Sequence, residues 1–496
     1  MKKQRYADCI GGGRRLLATI GALILPMMGF AERPNILFIT IDDLRTELGS
    51  YGARAITPHL DKLAESGLQF NHAYTNQAVC GASRLSFMMG LYPEFTKERT
   101  YHVRNWRHRH PDVVTMNQFF LENGYKTVGT GKVYHRWQGP DVDLKNWSEY
   151  IDPQGTHYVD ASSIELGKEQ AAAYGKAFKR GPTTEAGVAP NAKERYFDGW
   201  RASESSRQLE KLAASKEPFF LAIGFSKPHL PFTAPVEFWD LYDREDFTWP
   251  ANIGVPVGYP EYARNRKPGE LGNYTDVPPG HDPQEFPPEM VQRLIHGYIA
   301  SVSYTDYNIG KVLDTLERTG VAENTIIVIF GDHGYKLGDH FTWTKHTNFE
   351  IDNHVPLIIY HPTLETARGS SDALVELIDI YPTLAELSRL DAPDHLQGRS
   401  LVPILRDPSR VHRQYAYSSY PHQDGEVIGH SIRNQRYRYT EWWDAETDEV
   451  LARVATDLLR DPGETTNALI GNKALAEPFS IALKKIVANA RTEQKR

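Results

Sequence analysis

The chain has 496 residues, 40% hydrophobic and 24% charged, with a net charge of −7 and two cysteines, Cys9 and Cys80. That length can bury a large core, and the composition excludes a disordered chain, a coiled coil and a repeat array. The acidic balance excludes nucleic-acid binding through the overall field, so an anionic ligand needs a local cationic pocket.

Residues 1–31 read as a cleaved export signal. "MKKQRYADCIGGGRR" is basic, "LLATIGALILPMMGF" is apolar, and Ala31 is a small residue at the expected cut. Pro26 and the two glycines make this stretch weak as a membrane anchor, and no later stretch is long and apolar enough to span. Arg14 and Arg15 leave Sec and twin-arginine export both open. Cleavage removes five basic residues against Asp8 and takes the net charge from −7 to −11. The expected location is periplasmic or secreted, with no stable membrane span after cleavage. Cys9 leaves with the signal, so Cys80 keeps no partner for an internal disulfide. A lone cysteine is either an inert buried thiol or a working group. The small and polar neighbours Gly81, Ala82, Ser83 and Arg84 leave both readings open.

After the signal, short β-rich runs alternate with helical periodicity. Strands are predicted at 35–40, 127–131, 219–225, 325–330 and 356–360, nearly continuous in apolar residues, as in a sheet covered on both faces. Helices are predicted at 57–67, with a Thr-Pro start and a Gly stop, at 114–124, and at 298–320, whose apolar residues fall on one stripe. The pattern implies an α/β layered domain with a largely parallel sheet. Residues 138–195 and 240–290 lack period and read as long surface excursions that shape a cleft. After about residue 410 the texture changes: 429–443 alternates like β-strands, and 456–469 reads as a turn into a final helix. The expected organisation is a signal at 1–31, a main domain at 32–410 and a smaller antiparallel subdomain at 411–496.

Charged residues follow the strands at once. Asp42 and Asp43 come after the first, Lys132 and His135 after the second, Lys227 and His229 after the third, and Asp332 and His333 after the fourth. In open α/β sheets ligands sit beyond the carboxyl ends of the strands, so these positions describe one site. Each piece alone has a bland reading, a helix cap or a turn for Asp-Asp and "GDHG", a surface charge for a lysine. Together they bring three carboxylates and an imidazole to one edge, where a hard divalent ion would relieve the repulsion. The oxygen-rich set favours Ca²⁺ over Zn²⁺ and leaves Mg²⁺ open. Lys132, His135, His229 and Lys345 would line a pocket for an anion, with Arg84 and the amides of a helix beginning near Cys80 adding to its field.

"CGASR" (80–84) with "LSFMMGLYP" behind it resembles the type I sulfatase signature, Cys-x-Pro/Ala-x-Arg followed by a helix and a turn. The resemblance runs through "PNILFITIDDLR", "GKVYH", "KPHLPF", "GDHGYKLGDH" and "ELIDIYPTLAEL" in family order. Within the family the chain most resembles iduronate-2-sulfatases, through "GKVYH", "KPHLPF", "WTKHTNFE" and "GHSIRNQRYRYTEW". Ala82 stands where many members carry proline.

The resemblance implies an alkaline-phosphatase-like fold, with a large, mostly parallel sheet between helices and a smaller C-terminal antiparallel subdomain. It implies that a maturation enzyme oxidises Cys80 to formylglycine, whose hydrated aldehyde attacks sulfur. Asp42, Asp43, Asp332 and His333 would bind Ca²⁺ together with the modified residue 80, and Arg84 would balance charge there. Lys132 and Lys345 would hold the sulfate, His229 would protonate the leaving oxygen, and His135 would accept a proton from residue 80. His346 is a further candidate for substrate contact. The basic stretch 102–110 is either a cation source for a substrate carboxylate or a solvated loop. Trp106 and Trp343 are either sugar-stacking groups or core residues. The implied activity is that of an exported, Ca²⁺-dependent, exo-acting 2-O-sulfatase on the uronic acids of a sulfated glycan. The alternatives are a phosphodiesterase or phosphonate monoesterase of the same fold, and a sulfated-glycan binding protein without catalysis.

Overall fold

The computed structural model describes residues 33–492 apart from 102, 137–138, 175–180, 265–268, 278–279 and 365–366. The expected export signal lies outside the described residues. No described helix is long and apolar enough to cross a membrane.

One large sheet organises the chain. In chain order its strands are β1 (Asn35–Ile41), β2 (Leu68–Tyr74), β3 (Lys126–Gly131), β4 (Glu149–Ile151), β5 (Phe219–Phe225), β6 (Thr325–Gly331), β7 (His354–Val355), β8 (Leu357–Tyr360) and β9 (Gly369–Glu376). They lie in the order β7-β2-β8-β6-β1-β5-β3-β4, with β9 also paired to β2. The strands β6, β1, β5, β3 and β4 are all parallel, so their carboxyl ends meet at one edge. The sheet is mixed beyond that block, because β8 runs antiparallel to both β6 and β2.

The apolar runs make strands buried on both faces. Along β1, Ile36 and Phe38 enter one core, while Leu37, Ile39 and Ile41 enter the other. The first core is closed by α2 (Cys80–Met89), α3 (Met116–Glu122) and α7 (Ile380–Leu387). The second is closed by α1 (Pro58–Ser66), α5 (Phe197–Ser215) and the long α6 (Pro288–Arg318). The helix predicted at 298–320 thus starts ten residues earlier, at a Pro-Pro step that suits a helix N-terminus. The excursion 138–195 is less irregular than its composition implies, since it contains α4 (Ala161–Tyr174) and a strand at Thr184–Gly187. Among its described residues, the region 240–290 carries four short 3₁₀ turns joined by irregular chain.

A second sheet follows, with β10 (Ala416–His422), β11 (Val427–Arg433), β12 (Tyr437–Asp444) and β13 (Val450–Asp457) in a simple antiparallel meander. Its Tyr417, Ile432, Tyr439 and Trp443 pack on Phe479, Leu483 and Val487 of the last helix, α8 (Ala476–Ala490). Residues 456–457 complete β13, so the predicted turn into the final helix begins after that strand.

Backbone hydrogen bonds continue past the strand ends and hold the next residues in register. Asp42 N–H donates to Phe225 O (3.1 Å), Asp332 N–H to Ile41 O (3.1 Å), and Lys132 N–H to Gly224 O (2.8 Å). Gly224 allows the last of these crossings. A Cβ there would lie 2.0 Å from the Lys132 carbonyl carbon and 2.4 Å from Val133 N. Gly224→Ala is therefore expected to destabilise the protein by about 1–3 kcal/mol, as overpacking does, and to lower its denaturation midpoint. An unchanged midpoint would mean that the β3–β5 crossing can open at no cost.

Candidate active site

The parallel strand ends deliver the predicted residues to one place. Asp42 and Asp43 follow β1, Lys132 follows β3, His229 follows β5, and Asp332 and His333 follow β6. Cys80 is the first residue of α2, whose preceding residue, Val79, supplies no side-chain cap. Cys80 Sγ lies 3.1 Å from His333 Nε2, 3.7 Å from Lys132 Nζ and 4.0 Å from Asp43 Oδ1. Its surroundings are ionic instead of apolar. Asp43 holds a left-handed backbone (φ 61°), a conformation that aspartate tolerates better than most residues. Its own N–H donates to Asp332 Oδ1 (3.0 Å), which ties β1 to β6 at the site.

Arg84, fully buried, neutralises the centre. Its Nε donates to Asp332 (2.9 Å), its Nη2 to Asp42 (3.3 Å), and its Nη1 to Thr40 Oγ1 (2.9 Å) and the Lys132 carbonyl. Lys132 Nζ also pairs with Asp42. Lys345 Nζ donates to both oxygens of Asp43 (2.9 Å each) and to Glu270 (3.2 Å). Lys345 sits in a strained loop, where Thr344 (φ 73°) and His346 (φ 86°) adopt left-handed backbone. That loop is anchored below by Asp352, which pairs with Lys336 and accepts from Thr347. It is anchored above by Asn348, which donates to Gly429 O (2.9 Å) and meets His422 Nε2 (2.9 Å) in the second sheet.

These contacts set the protonation states. Burial raises the Asp42 pKa, but Lys132, His229 and Arg84 outweigh it and hold the group well below the usual range. Burial keeps Asp43 raised in spite of Lys345. Burial and Asp42 push the Cys80 thiol up, while Lys132, Lys345 and His333 pull it down to a net lowering. Burial lowers His333, yet Asp332 and Cys80 raise it to about 10.

The histidines are oriented by carbonyls. His333 Nδ1 faces Gly334 O (2.9 Å) and His229 Nδ1 faces Leu230 O (2.7 Å). A carbonyl only accepts, so both rings carry hydrogen on Nδ1 and turn Nε2 into the site. His229 Nε2 lies 3.1 Å from Glu270 and about 4 Å from Asp42 and Asp43 (3.9 and 4.0 Å). Lys227 shapes this turn instead of joining the site, donating to His229 O (2.9 Å) and Pro231 O.

Two predicted residues stand at the edge of the cluster. His135 feels Lys132, Asp42 and Arg84, and its Nδ1 is buried without a hydrogen-bond partner. His346 feels Lys345 and Glu270 and packs near Tyr420. The basic stretch 102–110 is mostly spent on structure: Arg107 pairs with Asp143 (2.6 Å), and Arg109 and His110 pair with Glu98 (2.6 and 3.2 Å). Trp106 and Trp343 are buried core residues, 1% exposed each, so neither stacks on a sugar. Glu270 is the functional candidate that sequence reasoning missed. It lies in the aperiodic 240–290 region, where a single Glu between Gly269 and Leu271 carries no pattern.

The donor set fits a hard divalent cation. One oxygen, nitrogen or sulfur atom from each of Asp42, Cys80, Asp332 and His333 lies within 4.8 Å of the others, and the same holds for Asp42, Asp43, Cys80 and His229. His333 points Nε2 into the cluster and would ligate as the neutral ring, giving up the proton that Asp332 and Cys80 otherwise favour there, and buried carboxylates at this density suit oxygen-seeking ions.

Comparison with known proteins bears on the family and the fold. The family model described as Sulfatase matches residues 34–390, and that of the N-sulphoglucosamine sulphohydrolase C-terminal region matches 338–493. The chain is 32% identical to iduronate 2-sulfatase of Homo sapiens, over 84% of this chain and 86% of the relative. It is 25% identical to a Delta 4,5-hexuronate-2-O-sulfatase of Bacteroides thetaiotaomicron, over 88% and 84%. The solved structure of a 2-O GAG sulfatase superposes with a TM-score of 0.70 at 23% identity, covering 92% of this chain and 93% of that one. A phosphonate monoester hydrolase of Agrobacterium radiobacter superposes at 0.71 with 20% identity, covering 93% and 97%, so fold alone does not separate these chemistries.

Arg84→Ala is expected to cost about 3–5 kcal/mol, because it leaves Asp42 and Asp332 buried without their shared cation. A thermal melt checks this. An unchanged melting temperature would mean that Lys132 and Lys345 alone neutralise the carboxylates.

Proposed function

We propose, for a chain that belongs to the sulfatase family and is a sulfuric ester hydrolase, that it removes 2-O-sulfate from the uronic acids of a sulfated glycan in exo fashion. The observation that carries the chemistry is the cluster of Asp42, Asp43, Asp332, His333 and Cys80, beside Lys132 and Lys345. The substrate class draws support from the names of the relatives, an iduronate 2-sulfatase and a hexuronate-2-O-sulfatase. Export to the periplasm or beyond is part of the proposal, on the basic-then-apolar segment that ends at Ala31.

Matured to formylglycine by a dedicated enzyme, residue 80 supplies an oxygen nucleophile through its hydrated aldehyde. Asp42, Asp43, Asp332 and His333, with residue 80, would hold Ca²⁺, which supplies positive charge toward the sulfate oxygens. The remaining steps fall to the chain's own side chains. Lys132, 3.7 Å from Cys80 Sγ, and Lys345, held on Asp43, bind and orient the sulfate. Arg84, held rigid by four groups, keeps the carboxylates charged and in place. His229 delivers a proton from Nε2 to the leaving sugar oxygen. Burial lowers its pKa, but Glu270 and Asp43 outweigh this and raise it, which favours the protonated form that donates. His135 accepts the proton of the remaining hydroxyl on residue 80, so that the C–O bond to sulfate breaks, sulfate leaves and the aldehyde re-forms. Burial and Lys132 bring its pKa down to about 3 in the resting site, which keeps the ring neutral.

Three measurements test this reading. The tryptic peptide from Leu63 to Arg84, taken from the native host, is expected to be about 18 Da lighter than its cysteine form. Finding only the thiol in active protein would remove formylglycine from the mechanism. Assays on a 2-O-sulfated uronic acid disaccharide, an aryl sulfate and a phosphodiester are expected to rank in that order. Preferred phosphodiester turnover would replace the sulfatase reading, and binding of the disaccharide without turnover by matured protein would replace catalysis with recognition. Finally, Glu270→Gln removes the anion nearest His229 and so lowers the pKa of that acid. Because His229 works in its protonated form, the rate falls as pH rises through its pKa, and the variant's alkaline limb is expected at lower pH. Coincident pH profiles would exclude His229 as the proton donor.

A further inference from the structure

The buried floor of the site is complete, but its mouth has a composition of its own. Cys80, Asp42, Asp43, Asp332, His333, Arg84 and Lys345 are all buried, whereas His135, His229, Glu270, His346 and Tyr420 are half-buried and Tyr101 is 49% exposed. The two tyrosines reach this boundary from opposite parts of the chain, each tied to the segment that carries Cys80.

Tyr101 is set by backbone packing. A Cβ on Gly81, the residue after Cys80, would lie 2.4 Å from Thr100 O and 2.8 Å from Tyr101 Cα. Glycine at position 81 thus lets the 100–101 backbone lie directly on the first turn of α2. From there the Tyr101 ring reaches His135, with centroids 6.3 Å apart. Tyr420 comes from β10 of the C-terminal sheet. Ser419 N–H donates to Asn76 O (2.9 Å), and Asn76 Nδ2 donates to Tyr417 O (3.0 Å), so β10 is clamped to the segment leading into Cys80. The Tyr420 ring lies 5.9 Å from His346 and 5.1 Å from His422, and Lys345 and Tyr101 are both within electrostatic reach of its hydroxyl.

We infer that Tyr101 and Tyr420 are the two sides of a rim that grips the sugar ring bearing the sulfate, with His135 and His346 behind them. This rests on the sulfated-glycan reading above and adds the residues that select the sugar. A pyranose presents C–H groups on its faces and hydroxyls on its edge, which a phenol ring matches with an apolar face and a polar tip. The sulfate enters the ionic floor, and the ring it hangs from stays at the level of the tyrosines. The arrangement also gives the C-terminal sheet a part in specificity, because Tyr420 is its contribution to the mouth.

The test compares Tyr101→Ala, Tyr420→Ala and the two Tyr→Phe variants on the matured enzyme. One reading is kcat/KM for a 2-O-sulfated uronic acid disaccharide. The other is inhibition by inorganic sulfate, which fills the anion pocket and carries no ring. Each alanine variant is expected to lose about tenfold in kcat/KM, on the scale of one lost stacking contact, with the sulfate inhibition constant unchanged within about twofold. The phenylalanine variants keep the ring and are expected to stay within about threefold of the parent. If kcat/KM and sulfate inhibition fall together, the tyrosines only support the floor, and the inference is overturned. It is also overturned if neither changes. Should Tyr420→Ala melt early, Tyr101→Ala gives the same comparison on a half-exposed side chain. A parent enzyme that hydrolyses 4-nitrophenyl sulfate but no sulfated sugar would sink the substrate reading, and the rim with it.

Discussion

Three carboxylates with essentially no exposure stand at the carboxyl edge of one sheet, and the rest of the molecule is arranged around neutralising them. Asp42, Asp43 and Asp332 are brought together because β1 and β6 are adjacent and parallel. Uncompensated, such a group would take up protons and stop being anionic. Arg84 prevents this from inside α2, sharing its guanidinium between Asp42 and Asp332. Lys132 and Lys345 complete the balance from two further elements. The same balance explains why Cys80 is held where it is. It lies on the helix that carries Arg84, so the turn that neutralises the acids also aims residue 80 at them.

The charges could not be assembled without close backbone crossings. Lys132 reaches Asp42 only because β3 turns over Gly224, and Cys80 reaches the centre with the 100–101 backbone lying on Gly81. Lys345 is delivered by the most strained loop of the site, with left-handed backbone at Thr344 and His346. That loop is held from below by the buried Lys336–Asp352 pair and from above by Asn348 against the second sheet. The C-terminal sheet is thus part of the site's support, although every proposed metal ligand comes from the main sheet and α2.

Much of this was legible before folding was considered. The strands β8, β6, β1, β5 and β3, adjacent at the centre of the sheet, were visible as apolar runs, because a strand covered on both faces has no polar side to break its pattern. The residues just past those runs were visible as site residues for the same topological reason. Other features had no local signal. The strand β2, "LQFNHAY", alternates too weakly to stand out, and β9, "GSSDALVE", begins with polar residues at the sheet margin. Glu270 sits among 3₁₀ turns, and only the path of that excursion brings it to His229 and Lys345. The tryptophans misled in the opposite direction: Trp106 stacks on Tyr134 and Trp343 enters the second core, so the mouth is left to tyrosines.

By itself the sequence determined the layered α/β class, the family signature around Cys80, and the identity of the acids, lysines and histidines that meet there. These are encoded locally, in apolar periodicity and in the residue types that follow each strand. Only the tertiary structure decided which cation serves which carboxylate, which histidine nitrogen faces the site, and which aromatic rings reach its mouth. Those choices depend on contacts between segments that are up to about three hundred residues apart in the chain, as Lys345 is from Asp43. Burial strengthens such contacts by removing the water that would otherwise screen them.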